Sequence, residues 1–197
     1  TAHDLPAMLK NKILVGIFIT TAAFATGYYT FYSYIEPFLQ QIGKMSENQI
    51  TTTLMLFGFA GIIGSMLFSK YFPKYRFKFI NLTLAGLIAG VFLLRPVASS
   101  IPITITVCAL IGMSATAFNV AMQSEIITDT PQSQTSVAMS IFSGIFNFGI
   151  GTGALIGGMV CTHLSISFIG ITSGLIVLMA LGYWTLIVVR RSLRQAQ

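Results

Sequence analysis

Six apolar runs, each of roughly the length that crosses a bilayer and each set off by a few polar or basic residues, constrain this chain more than anything else in it. They read as helices over about residues 13–38, 50–69, 79–94, 103–124, 137–161 and 166–189, between a lead at residues 1–12 and a tail at residues 190–197. Only 8% of the residues are charged and 54% are hydrophobic, against about 25% charged in a soluble domain. The sequence therefore predicts an all-α integral membrane fold. Its formal charge of +6 comes from lysines and arginines that lie between apolar runs, which is no continuous surface for nucleic acid. The first residue is Thr1, so a processed chain or a piece of a longer one is expected. No signal peptide is read, because the first run is too long and lacks a cleavage site.

The first span is unusual in its second half, Gly27-Tyr28-Tyr29-Thr30-Phe31-Tyr32-Ser33-Tyr34-Ile35-Glu36-Pro37-Phe38. Helical spacing places Thr21, Ala25, Tyr28, Tyr32 and Glu36 on one face. A polar face at lipid depth has to look onto protein or water. Pro37 is expected to bend or stop the helix. Tyr28 and Tyr32 are candidates to hydrogen-bond and stack on a solute. Tyr34 and Phe38, nearer the outer end, fit a headgroup belt. Glu36 is the one acidic residue inside an apolar run. Burial would let it carry a proton, whereas a hydrated helix end makes it a gate contact, the reading favoured here.

The fourth span carries Gly112, Thr116, Asn119 and Gln123 on one face, and the fifth carries Ser140, Ser143, Asn147, Gly151, Ala154 and Gly158 along one side. The amides Asn119, Gln123 and Asn147 suit either a solute or helix–helix hydrogen bonds. Gly58, Gly61 and Gly64 in the second span, and Gly149, Gly151 and Gly153 in the fifth, read as packing and hinge positions. Ser46 is placed to cap the second helix.

Nine of the eleven basic residues, Lys10, Lys12, Lys70, Lys74, Arg76, Lys78, Arg190, Arg191 and Arg194, fall on the side of the termini, and only Lys44 and Arg95 on the other. The positive-inside rule then puts both termini in the cytoplasm. The order of features repeats after three spans: a polar stripe in spans one and four, glycine-rich faces in two and five, and Gly86-xxx-Gly90 and Gly170-xxx-Gly174 in three and six. Three plus three passes make an inverted repeat, a transporter plan.

Enzymatic chemistry finds no constellation. Ser143 and His163 stand twenty residues apart along one helix, about 30 Å at 1.5 Å per residue, so no catalytic dyad forms between them. No metal-ligand spacing or phosphate-binding loop occurs, and Cys108 and Cys161 read as free thiols. No catalytic residue, metal or cofactor is expected.

The strings Tyr32-Ser33-Tyr34-Ile35-Glu36-Pro37-Phe38, Ala60-Gly61-Ile62-Ile63-Gly64-Ser65, and Val137-Ala138-Met139 with Phe142-Ser143-Gly144-Ile145-Phe146-Asn147 up to Gly151, closely resemble the bacterial sugar efflux transporters, exporters of arabinose and galactoside type. These belong to the drug:proton antiporter branch of the major facilitator superfamily. The similarity runs from about Leu5 to the end and is to the carboxy-terminal half of the family's twelve helices. It implies proton-driven export of sugars or sugar-like molecules by alternating access, in a bacterial inner membrane. It also implies a cavity lined by spans one and four, and a matching amino-terminal half or a second copy as partner. Carried onto this sequence, the cavity residues are Tyr28, Tyr32, Asn119 and Gln123, with Asn147 from span five. The superfamily's loop signature is reduced here to Gly64 with Lys70, Lys74 and Arg76, without an acidic residue. A multidrug exporter of the same superfamily, or a non-transporting membrane protein, are the alternatives.

Overall fold

A computed structural model describes residues 2–197. The lead expected at residues 1–12 is seen from residue 2, and Thr1 lies outside the described residues. The chain is helical throughout, without a strand among the described residues. The helices are α1 (Leu5–Lys10), α2 (Lys12–Tyr32), α3 (Ile35–Gln41), α4 (Glu47–Val97), α5 (Ile101–Asp129), α6 (Thr135–His163), α7 (Ile169–Tyr183) and α8 (Arg190–Gln195). Between α7 and α8 the helix widens to π-type hydrogen bonding over Trp184–Val189.

The first span is two helices. Pro37 has no N–H to give to Ser33, four residues earlier, and its ring crowds that carbonyl. The helix breaks there, at Ser33 and Tyr34, and restarts at Ile35. Tyr34 and Phe38 both turn toward protein. Phe38 is buried, and Tyr34 donates its hydroxyl to the Ala154 carbonyl at 3.1 Å. Ser46 does cap the next helix, in a reciprocal capping box with Gln49.

The second and third spans are joined in α4, a run of 51 residues in which only Tyr75 leaves helical geometry (φ −127°, ψ 41°). Drawn straight it would reach about 77 Å, more than twice the hydrocarbon thickness. It is not straight. A Cβ on Gly61 would lie 2.7 Å from Thr116 Oγ1, and one on Gly86 2.7 Å from Ser114 Oγ. Residues 61 and 86 would be about 37 Å apart in a single helix, yet they meet side chains two positions apart on α5. The helix therefore doubles back at Tyr75, and Phe72 and Phe79 close the bend with ring centres 6.0 Å apart. The polar loop expected at residues 70–78 is thus helical on both sides of one residue. Among the described residues, five helical runs are long and apolar enough to cross a membrane, and the doubled α4 gives a sixth pass.

Glycines set which helices touch. Gly149, Gly153 and Gly157 bring α6 against Ala25, Thr26 and Thr30 of α2. Gly61 and Gly64 bring the first arm of α4 against Thr116 and Met113 of α5, and Gly86 and Gly90 bring the second arm against the same helix. Gly170 and Gly174 seat α7 on Val91 and Phe92 of α4, while Gly27 admits Val177 of α7 to α2 and Gly16 admits Val188 of the π-type stretch that follows it. So α2 lies between α6 and α7, while α5 lies between the two arms of α4. Around Gly58 and Gly151 a Cβ would meet nothing within 4 Å.

Candidate functional site

Along α2, residues four apart stack. Phe24 and Tyr28 are nearly parallel with centres 5.6 Å apart, and Tyr28 and Tyr32 follow at 5.4 Å. Opposite them α5 presents Ala115, Thr116, Asn119 and Val120, and α6 contributes Phe146, whose ring meets Tyr29 edge-on at 5.8 Å. These side chains line an open cavity of about 300 Å³, at the small end of ligand pockets. A roomier cleft of about 390 Å³ between α1, α2 and α6 is walled by apolar groups such as Met8, Phe18 and Phe148 and offers no hydrogen bonds.

The polar equipment of the smaller cavity is specific. Tyr28, 7% exposed, and Tyr29 make no hydrogen bond within the protein among the described residues, so their hydroxyls are available to a guest. Asn119 accepts from Gln123 Nε2 through its carbonyl oxygen, which leaves its own amide hydrogens for the cavity. Flat rings beside hydroxyls and an amide are chemistry for a small, polyhydroxylated or aromatic solute.

Of the residues singled out by sequence, the structure brings Tyr28 and Asn119 together here. Gln123 stands one turn from the wall and orients Asn119. Tyr32 is half-exposed at the edge, its ring 5.5 Å from Phe57. Asn147 is not in this cavity. It lies on the exposed side of α6 and donates to the Ser143 carbonyl at 2.9 Å, because the glycine face of that helix turns Phe146 inward instead. Glu36 is exposed in the first turn of α3, beyond the break, and has no partner among the described residues. Among the six glycines, Gly61, Gly64, Gly149 and Gly153 are in close packing, and Gly58 and Gly151 are open. Both cysteines are free thiols.

Two features at the basic end were missed. Arg76, at the bend of α4, grips Glu125 of α5 with Nε on one carboxylate oxygen and Nη2 on the other. Glu125 is 1% exposed. Asn11 accepts from the Ile13 and Leu14 N–H groups to start α2, while its own amide donates to the Asp129 carbonyl and carboxylate at 3.3 and 3.2 Å. The start of α2, the bend of α4 and the end of α5 are thereby tied at one end. Sequence reading ended the fourth helix at residue 124 and left both acids in a loop. Glu125 and Asp129 stand four apart, so a continued helix puts both on one face, and that spacing is the signal that the helix goes on.

A helical bundle of six passes around a cavity with few polar groups fits a membrane transporter. A family model described as Major Facilitator Superfamily matches residues 17–196. The chain belongs to the Major Facilitator Superfamily, a family of multi-pass membrane proteins that transport small molecules.

Proposed function

We propose that this chain is one half of a proton-coupled exporter of sugars or sugar-like small molecules, working by alternating access in a bacterial inner membrane with both termini in the cytoplasm. The observation that carries the reading is the cavity between α2, α5 and α6, where Tyr28, Tyr29 and Asn119 offer unpaired hydrogen-bonding groups beside stacked rings. Tyr32 and Gln123 serve at its edge, as mouth and as support for Asn119.

The contact pattern favours an inverted repeat: α2 is flanked by spans five and six as α5 is flanked by spans two and three. Ser140, Ser143 and Asn147 are exposed at lipid depth on α6, where lipid offers them no partner. That face asks for a matching six-helix half or a second copy, against which Asn147 would meet the solute path. Glu36, at the end opposite the basic residues, acts as a gate contact. A multidrug exporter remains the second reading because four of the cavity's walls are aromatic rings, Phe24, Tyr28, Tyr29 and Phe146.

Binding of a labelled galactoside, a labelled pentose and a lipophilic cation to the purified protein joined to a family amino-terminal half separates the two. The sugar reading expects saturable sugar binding weakened roughly tenfold by Asn119→Ala, as loss of one or two hydrogen bonds to a buried guest implies. Binding of the cation alone, untouched by Asn119→Ala, contradicts it.

A further inference from the structure

Away from the solute cavity, the outer side of the α4 bend carries a groove of about 330 Å³ walled by Leu67, Tyr71, Tyr75, Phe79, Leu82 and Lys78. A second hollow of about 230 Å³ shares Leu67, Phe79 and Leu82 with it and extends the trough to Leu110 and Met113 of α5. Leu82, which lines both hollows, is 70% exposed. The trough therefore faces lipid.

Its mouth is charged. Tyr71 and Tyr75 are walls of the groove, and each holds an ammonium over its ring: Lys70 Nζ lies 5.3 Å from the Tyr71 centre, and Lys74 Nζ 5.3 Å from that of Tyr75. Lys78 lines the groove itself. None of these lysines has an acidic partner among the described residues. Between residues 48 and 124 the sequence contains no Asp or Glu, and Glu125, which meets the bend from α5, is taken by Arg76. Three uncompensated cations thus stand at the membrane-surface end of an apolar trough.

We infer that this groove is a binding site for an anionic phospholipid. Lys70, Lys74 and Lys78 hold the phosphate, the Tyr71 and Tyr75 hydroxyls face the glycerol region, and an acyl chain lies along Leu82 toward Met113. The apolar trough selects a lipid over free phosphate, and the missing counter-charge selects a lipid with net negative charge over a zwitterionic one. The occupant would brace the bend at Tyr75, the one non-helical residue of α4, independently of what the solute cavity carries.

The test places a reporter in the trough with Leu82→Trp and reconstitutes the full chain in phosphatidylcholine vesicles containing a small fraction of brominated phosphatidylglycerol or, separately, brominated phosphatidylcholine. The natural Trp184 is fully buried and supplies a constant background that also reports folding. The brominated anionic lipid should quench the introduced indole more than its zwitterionic counterpart at equal fraction. Replacing Lys74 and Lys78 by Gln should reduce that preference roughly fivefold per lysine, and Lys→Arg at the same positions should keep it. Equal quenching by the two lipids would overturn the site. So would a preference that survives Lys74→Gln with Lys78→Gln, or one that falls as much with Arg190→Gln and Arg191→Gln, which would make it a general surface potential.

Discussion

Glu125 shows how much one side chain can commit a membrane fold. A carboxylate almost wholly removed from water is tolerable only with its charge matched and both oxygens satisfied, and Arg76 does both. Glu125→Gln removes the charge and leaves the guanidinium with a poorer acceptor. We expect a loss of about 2 kcal/mol, below the roughly 3–5 kcal/mol of fully buried pairs because Arg76 keeps access to water. Thermal denaturation of the purified protein followed by circular dichroism reads it. Arg76→Lys, which keeps the charge but loses the two-pronged geometry, should fall between that variant and the native protein. No loss in either variant would mean that the pair is ornamental. The pair was illegible in sequence because its members are 49 residues apart and each looked like loop polarity. Tyr28 and Asn119 were legible because a phenol and an amide inside lipid-length helices need a reason. Phe24, Tyr29 and Phe146, equally part of the cavity, were not, since an aromatic ring in an apolar run carries no sign of which way it faces.

At the scale of the element, the six apolar runs survive as passes, but their edges move. Membrane helices continue beyond the hydrocarbon, so the second and third spans run to within a residue of each other at Tyr75 and the fourth reaches Asp129. Periodicity also says less here than in a soluble protein, because lipid and protein interior are both apolar. That is why Ser140, Ser143 and Asn147 gave a face to α6 but not its direction. Its direction is set by Gly149, Gly153 and Gly157. A Cβ at Gly153 would lie 2.5 Å from the Thr26 carbonyl oxygen, so Gly153→Ala should push α6 off α2 and cost about 1–3 kcal/mol, as overpacking does. Gly151→Ala meets nothing and should leave the melting temperature unchanged or slightly raised. Loss of transport by Gly151→Ala with stability intact would identify a hinge. Equal destabilisation by the two would refute the packing described for α6.

For the whole molecule, the basic residues of the lead, the α4 bend and the tail gather at one end, where Asn11, Arg76, Glu125 and Asp129 also bind the helices together. The opposite end holds the Ser33 break and Glu36. Between them, the aromatic cavity and the exposed polar side of α6 face a space that this chain does not close. A rocking transporter needs two such bodies around one site, and the account rests on this bundle supplying one of them. Cellular export of a labelled pentose and a labelled galactoside, by this chain alone and by this chain fused behind a family amino-terminal half, tests that most directly. Export by the fusion, weakened roughly tenfold by Asn119→Ala, is the expected result. No export by a fusion that reaches the membrane folded would contradict it, whereas export by the chain alone would put a second copy in the place of the fused half and make Glu36 the leading proton carrier.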